Sequence, residues 1–356
     1  MFNVFNAFVF LSLECLGGAV VRAVRIRAPG GLDRLEIVEL PDPGAPAADE
    51  IRVRIRASSL NYHDYRVSSG DAPSIDCRIP MADGAGVIEA IGGDVSDFEV
   101  GDRVVSVFFP QWHDGPPRVV GDFSHTPGDG VDGYAREVVV RPSSWFTRAP
   151  AGYTYAEAAT LTTAGVTAWR ALVSDGKLKA GDTVLVLGTG GVSIFALQIA
   201  RSMGATVIAT SSSDAKLERL SAMGAAHTIN YRTQPDWGRG VTDWMGGQGV
   251  DHVMEVGGAA TLPQSISAIR IGGRISLIGA LTGRSGELPI VALIVKNVCL
   301  QGVTVGSRSD QTGLIAGLET TGVKPVIDRS FPLEELAQAF KYQIEGRHFG
   351  KIVVEF

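Results

Sequence analysis

The feature that most constrains this chain is an apolar strand, Thr183-Val184-Leu185-Val186-Leu187, that runs directly into Gly188-Thr189-Gly190-Gly191-Val192-Ser193. Val192, Ala196, Ile199, Ala200 and Met203 then recur at helical spacing, so the turn joins a buried strand to an amphipathic helix. Strand, glycine turn and helix in that order form the phosphate-cradling unit of a doubly wound α/β sheet. Gly188 permits the tight turn, Gly190 lets the backbone approach a pyrophosphate, and the helix N-terminus offers free N–H groups with partial positive charge. Ser193 takes the third position, where glycine is usual, and is small enough to pack against the strand. Gly188, Gly190, Gly191, Val192 and Ser193 are therefore read as a dinucleotide site.

About twenty residues after such a turn, a site for NAD places an acidic side chain on the ribose hydroxyls. Here the next strand ends in Ala209-Thr210-Ser211-Ser212-Ser213. No carboxylate repels a 2′-phosphate there, the hydroxyls of Ser211 and Ser212 can donate to one, and Lys216 can add charge. The expected cofactor is NADP(H). Ser212, Ser213 and Asp214 also suit the cap of the helix that ends near Gly224, and capping is compatible with phosphate binding.

With 356 residues the chain exceeds what one core usually organises, and two domains are expected. From Val21 to about Arg141 the pattern is β-rich: Ile51, Val53, Ile55 and Ala57 alternate with Arg52, Arg54 and Arg56. The loop from Phe108 to Gly133 has little periodicity and is expected to line a substrate cleft. After Thr154 a helical stretch leads into strands at Thr183–Leu187, Thr206–Thr210, His227–Asn230, His252–Val256, Arg274–Ile278 and Leu300–Val305, alternating with helices. That alternation implies a Rossmann-type parallel sheet. A helix over Leu333–Ile344 and a strand over Lys351–Phe356 then return to the first domain. The expected division is an extension outside the fold at 1–20, a β-rich domain made of 21–146 and 309–356, and a dinucleotide-binding domain at 147–308.

Composition narrows the function. A net charge of −6 with scattered basic residues gives no reason to expect nucleic acid. Three isolated cysteines, Cys15, Cys77 and Cys299, build neither a disulfide framework nor a thiolate zinc lobe, which fits a reducing cytoplasm. The apolar run Phe5–Leu11 lacks the flanks of a secretory signal and is too short to cross a bilayer, so no membrane is expected. Trp112, His113 and His125 in the long loop are read as surface or packing residues.

Ser59-Leu60-Asn61-Tyr62-His63-Asp64, Asp83-Gly84-Ala85-Gly86, Gly101-Asp102-Arg103-Val104, the glycine turn and Gly350-Lys351-Ile352-Val353 together resemble the medium-chain dehydrogenase/reductase superfamily, over nearly all of Val21–Phe356. The resemblance implies a GroES-like β domain folded against the Rossmann domain, with the active site in the cleft between them. Zinc-dependent members have Cys where this chain has Asn61, His-Glu where it has Ala82-Asp83, and Cys where it has Ala164, so the resemblance is to the zinc-free, quinone oxidoreductase-like branch. It implies NADPH-dependent hydride transfer to a quinone or α,β-unsaturated carbonyl. Asn61 and Tyr62 are the catalytic candidates, and Thr167, Tyr231 and Gly279 lie near the phosphates, the adenosine and the nicotinamide respectively. A metal-free alcohol or aldehyde oxidoreductase and a non-catalytic NADPH-binding sensor are the alternatives. The family implies a homodimer, with the apolar stretch Ile290–Val298 as its interface.

Overall fold

Arginines alternate with apolar residues along β3 (Glu50–Ser59), and the pleat separates them: Ile51, Val53, Ile55 and Ala57 are fully buried, while Arg52 reaches Asp42 and Glu89 on the wet face. A computed structural model describes residues 19–72, 75–117 and 123–356. Before β3, β1 (Val20–Ile26) and β2 (Leu35–Pro41) form an antiparallel hairpin. The expected extension lies outside the described residues up to Gly18, and Val20 already belongs to β1.

After β3 comes helix α1 (Tyr62–Ser69), with Asn61 as its N-cap and Gly70 ending it at φ +84°, a left-handed conformation glycine adopts without a Cβ penalty. β4 (Ala85–Ile91), β5 (Arg103–Ser106), β6 (Val138–Pro142) and β7 (Phe146–Arg148) complete the antiparallel part, with both β4 and β6 paired to β3. Both described ends of the long connection between β5 and β6 are packed against the rest of the protein. Phe108, Phe109 and Trp112 are buried, and the carbonyls of Trp112 and His113 accept the Arg308 and Ser309 N–H groups.

The helical stretch expected after Thr154 begins with α2 (Tyr155–Ala159), capped by a reciprocal Thr154–Glu157 pair, and continues through Leu161–Gly165, α3 (Val166–Trp169) and Arg170–Ser174. Then strand and helix alternate: β8 (Thr183–Leu187), α4 (Gly191–Ser202), β9 (Thr206–Ser211), α5 (Asp214–Ala222), β10 (His227–Asn230), α6 (Trp237–Trp244), β11 (Val250–Glu255), α7 (Leu262–Ala268), β12 (Ile269–Leu277), α8 (Ile290–Val295) and β13 (Cys299–Gly302). The strands are parallel in the order β10-β9-β8-β11-β12-β13, which reverses direction between β8 and β11. Val184, Val186 and Ala209 pack on one face and Leu185, Leu187 and Ile208 on the other, as a sheet covered by helices on both sides requires.

The last parallel strand is shorter than the apolar run Leu300–Val305 predicts. Val305 takes φ +48°, unusual for a β-branched residue, and the Arg170 guanidinium donates to the carbonyls of Thr304 and Val305, so the chain leaves the sheet early. It then enters α9 (Arg308–Thr321), whose buried Gln311 donates to Val105 and Ser106 carbonyls near the end of β5. β14 (Ile327–Pro332), α10 (Leu336–Ile344) and β15 (Lys351–Glu355) follow, with one 3-10 turn at Leu333–Glu335 opening the stretch expected as a single helix. β15 pairs parallel with β14 and antiparallel with β3, returning the C-terminus to the first sheet.

Candidate active site in the cleft

The glycine turn has the geometry a pyrophosphate needs. Gly188 sits at φ +70°, and a Cβ added at Gly188 or Gly190 would meet no atom within 4 Å, so the backbone there borders open space. Gly190 caps α4 without a side-chain partner, leaving the first-turn N–H groups to a ligand. Ser193 turns inward, its Oγ donating to Leu187 O at 2.7 Å, which explains why a small polar residue packs there. Val192 heads the same helix beside the main core cluster. Gly279 follows β12, where a Cβ would collide with the Val256 carbonyl as the chains leave β11 and β12. Those strand ends are where a dinucleotide lies in such a sheet. The residues present fit a nicotinamide dinucleotide in this place.

At the end of β9, Ser211 is buried and its Oγ accepts the Ser213 N–H at 3.3 Å, while Ser213 caps α5. Ser212 is half-buried beside them. Lys216 is placed differently from a free phosphate ligand: its Nζ donates to the carbonyls of Gly346 at 2.7 Å and His348 at 2.9 Å. Burial lowers its pKa. Two of its three donors therefore tie α5 to the C-terminal loop. Tyr231 stands exposed just past β10. Thr167 is buried with its Oγ1 on the Thr163 carbonyl at 2.6 Å, one helical turn back.

Across the cleft, Asn61 is buried and Tyr62 is 48% exposed. Sequence reasoning missed the residue that joins the two sides. Lys351, at the start of β15, is buried, and its Nζ donates to Leu60 O and to Asn61 Oδ1, each at 2.6 Å, with Asp83 Oδ2 3.9 Å away. Its stem passes the glycine turn: a Cβ on Gly191 would lie 2.5 Å from Lys351 Cδ. The Gly350 N–H donates to Thr189 O at 2.9 Å alongside. Asp83 is fully buried and accepts from Ser59 Oγ and Thr163 Oγ1, each at 2.6 Å. Burial pushes the Asp83 carboxyl up to about 6 against the pull of Lys351, and burial likewise lowers the Lys351 ammonium. The signal for Lys351 was a charged residue in an otherwise apolar strand, Lys351-Ile352-Val353-Val354.

Known proteins share this fold. Family models match residues 47–151, as an alcohol dehydrogenase GroES-like domain, and residues 191–320, as a zinc-binding dehydrogenase. A zinc-type alcohol dehydrogenase-like protein of Schizosaccharomyces pombe is 40% identical, over 91% of this chain and 96% of its own length. The chain is a medium-chain dehydrogenase/reductase. Among solved structures, a Sinorhizobium meliloti protein assigned as an alcohol dehydrogenase superposes with a TM-score of 0.89 at 41% identity, covering 95% of this chain and 98% of that one. An NAD-dependent alcohol dehydrogenase gives 0.85 at 36% identity over 94% and 99%. The medium-chain fold, GroES-like domain plus Rossmann sheet, is thereby established, as is an oxidoreductase family using a nicotinamide cofactor.

The family's zinc position does not fit a zinc ion here. A carboxamide, a methyl group and a second methyl group stand at Asn61, Ala82 and Ala164; of the two buried carboxylates beside them, Asp64 is occupied by the Asn61 and Ala82 N–H groups and Asp83 by the Ser59 and Thr163 hydroxyls. The Lys351 ammonium, itself a cation, lies against Asn61 and Asp83. Among the described residues no group of three or more His, Cys, Asp or Glu side chains converges to hold a metal, whereas a catalytic zinc takes about three protein ligands. No helix among the described residues is long and apolar enough to cross a membrane.

Proposed function

We propose that this protein transfers hydride from NADPH to a quinone or an α,β-unsaturated carbonyl without a metal. The observation that carries the reading is the Lys351–Asn61 hydrogen bond beside Asp83, which puts an ammonium and neutral side chains where a zinc-using relative needs anionic or imidazole ligands. Without a Lewis acid, oxidation of a simple alcohol lacks its usual charge stabiliser. Reduction of a conjugated carbonyl spreads the charge over an enolate or hydroquinone oxygen, which a few hydrogen-bond donors can hold.

NADPH bound at the glycine turn supplies the hydride. Gly188, Gly190, Gly191, Val192 and Ser193 form the pyrophosphate cradle, and Ser211 and Ser212, with no carboxylate at the end of β9, favour a 2′-phosphate. Gly279 borders the ring, Thr167 the phosphates and Tyr231 the adenosine. Asn61, held by Lys351, faces the cofactor side and Tyr62 offers its exposed hydroxyl to the substrate oxygen. Residues 147–308 serve as the cofactor domain, and 21–146 with 309–356 as the substrate domain, in a cytoplasmic homodimer. The exposed apolar residues Ile290, Val291, Ile294 and Val295 of α8, next to edge strand β13, are the surface for that dimer.

An alcohol or aldehyde oxidoreductase working without metal is the second reading, favoured by the names of two of the similar proteins, one alcohol dehydrogenase-like and one an NAD-dependent alcohol dehydrogenase. NADPH oxidation measured against quinones, enones and aldehydes, with and without a chelator, separates the two. Turnover of quinones or enones that survives chelation is expected. Activity confined to aldehydes supports the second reading, and loss on chelation overturns both.

A further inference from the structure

His63 follows Tyr62 in the first turn of α1, and the residue motif that leads to Asn61 and Tyr62 gives it no task. Its ring is nonetheless the most elaborately held imidazole in the cleft region. Nε2 lies 3.0 Å from Asp129 Oδ2, in the loop between β5 and β6. Phe123 stacks on one face with ring centroids 5.3 Å apart, and Phe108 meets it edge-on at 5.5 Å. The other ring nitrogen, Nδ1, is shielded from solvent and has no hydrogen-bond partner among the described residues. A buried polar atom without a partner costs about 1–3 kcal/mol and calls for an explanation. His63 stands two residues from Asn61, the N-cap of the same helix, so the cage adjoins the motif on this wall of the cleft.

We propose that His63 and Asp129 form a proton-delivering dyad, with Nδ1 of His63 as the atom that hands a proton to the reduced substrate. The proposal rests on the function proposed above. Asp129 fixes the tautomer by accepting from Nε2–H, as a carboxylate does when it orients a catalytic imidazole, and this leaves Nδ1 as the exchanging position. An enone is the simplest substrate for this step. Hydride, with its electron pair, passes from NADPH to the β-carbon, and the C=C π pair moves onto the α-carbon and carbonyl as an enolate. The enolate takes the proton from Nδ1 of the doubly protonated ring. The N–H electron pair stays on nitrogen, and the neutral ring takes its next proton at Nδ1 from water admitted when product and substrate exchange. NADPH is oxidised to NADP⁺ and the enone is reduced to the saturated ketone, with one proton consumed. Phe108 and Phe123 keep bulk water from the nitrogen, so the donor reaches one face of the substrate.

Two measurements test the dyad. Nitrogen-15 NMR of the protein without ligand is expected to show His63 protonated at Nε2 and lone-paired at Nδ1, with Asp129→Ala abolishing the preference; the opposite tautomer overturns the proposal. The second uses 2-methylcyclohex-2-enone as probe. His63→Gln and His63→Phe, the latter preserving the aromatic stack, are expected to lower turnover about 100-fold, the usual scale for a general acid. NADPH affinity stays unchanged, and the product changes from one configuration at the α-carbon to a mixture. Unaltered turnover and configuration in both variants overturn the dyad alone. If the unsubstituted protein reduces neither this probe nor any other enone or quinone, the proposed function fails and the dyad's substrate role falls with it.

Discussion

The Nζ of Lys351 lies 2.6 Å from Asn61 Oδ1, across 290 residues of sequence, and its stem runs past Gly191 at the head of the cofactor helix. One side chain thus connects the cofactor turn with the motif on the opposite wall of the cleft. Removing the ammonium leaves Asp83 without its countercharge in a fully buried position. Lys351→Met is expected to lower stability by about 3 kcal/mol, the scale for stranding one member of a buried pair. The loss should be smaller at pH 5 than at pH 8, because a protonated Asp83 carries no charge to strand. Urea unfolding at both pH values checks this, and equal losses would contradict the pairing.

Gly190→Ala separates cofactor binding from folding. Gly190 has extended backbone geometry, and its Cβ would meet no protein atom within 4 Å. Stability should stay within about 0.5 kcal/mol of the original, while NADPH affinity falls about tenfold or more as the methyl group enters the phosphate space. Gly191→Ala, whose Cβ strikes Lys351, should lose stability as well. Fluorescence titration alongside thermal unfolding reads both quantities.

Cofactor choice depends on the end of β9. Ser212→Asp introduces a carboxylate where a 2′-phosphate is proposed to sit, and the ratio of NADPH to NADH affinity should fall about tenfold or more. An unchanged ratio would place the 2′-phosphate elsewhere. Lys216→Glu should also disturb the C-terminal loop, since the Lys216 Nζ holds the carbonyls of Gly346 and His348.

Acid should weaken the same corner of the molecule. Burial, together with the Lys216 charge, brings His348 down to about 4 from the usual 6.5. Between those values the unfolded chain takes up a proton that the folded chain refuses, so stability falls as the pH is lowered through the window. Above pH 6.5 the residue contributes nothing to the pH dependence. His348→Asn should flatten the decline in thermal midpoint between pH 6.5 and 4.

The apolar face of α8 can be tested by charge. Val291 and Ile294 are 73% and 67% exposed, more than a lone surface residue explains when Ile290 and Val295 lie beside them. Sedimentation should show a dimer, and Val291→Asp combined with Ile294→Asp should shift it to monomer without lowering the helix content. A monomer before substitution would overturn the proposed assembly.

What the sequence determined by itself was local. Thr183–Leu187 and the glycines after it announce strand, turn and helix because each depends on neighbours a few residues away, and the boundaries of β8 and β10 match the predicted spans. The alternation along β3 identifies its buried face for the same reason. Tertiary structure decided the rest. The early end of β13 depends on Arg170 holding the carbonyl of Val305, 135 residues away. The partners of Lys216 lie in a loop 130 residues on, so its role as a tie is invisible to spacing. Lys351 is legible only as a charge in an apolar strand. Its meeting with Asn61, Asp83 and Gly191 follows from β15 returning to pair with β3, a long-range closure that no local pattern encodes.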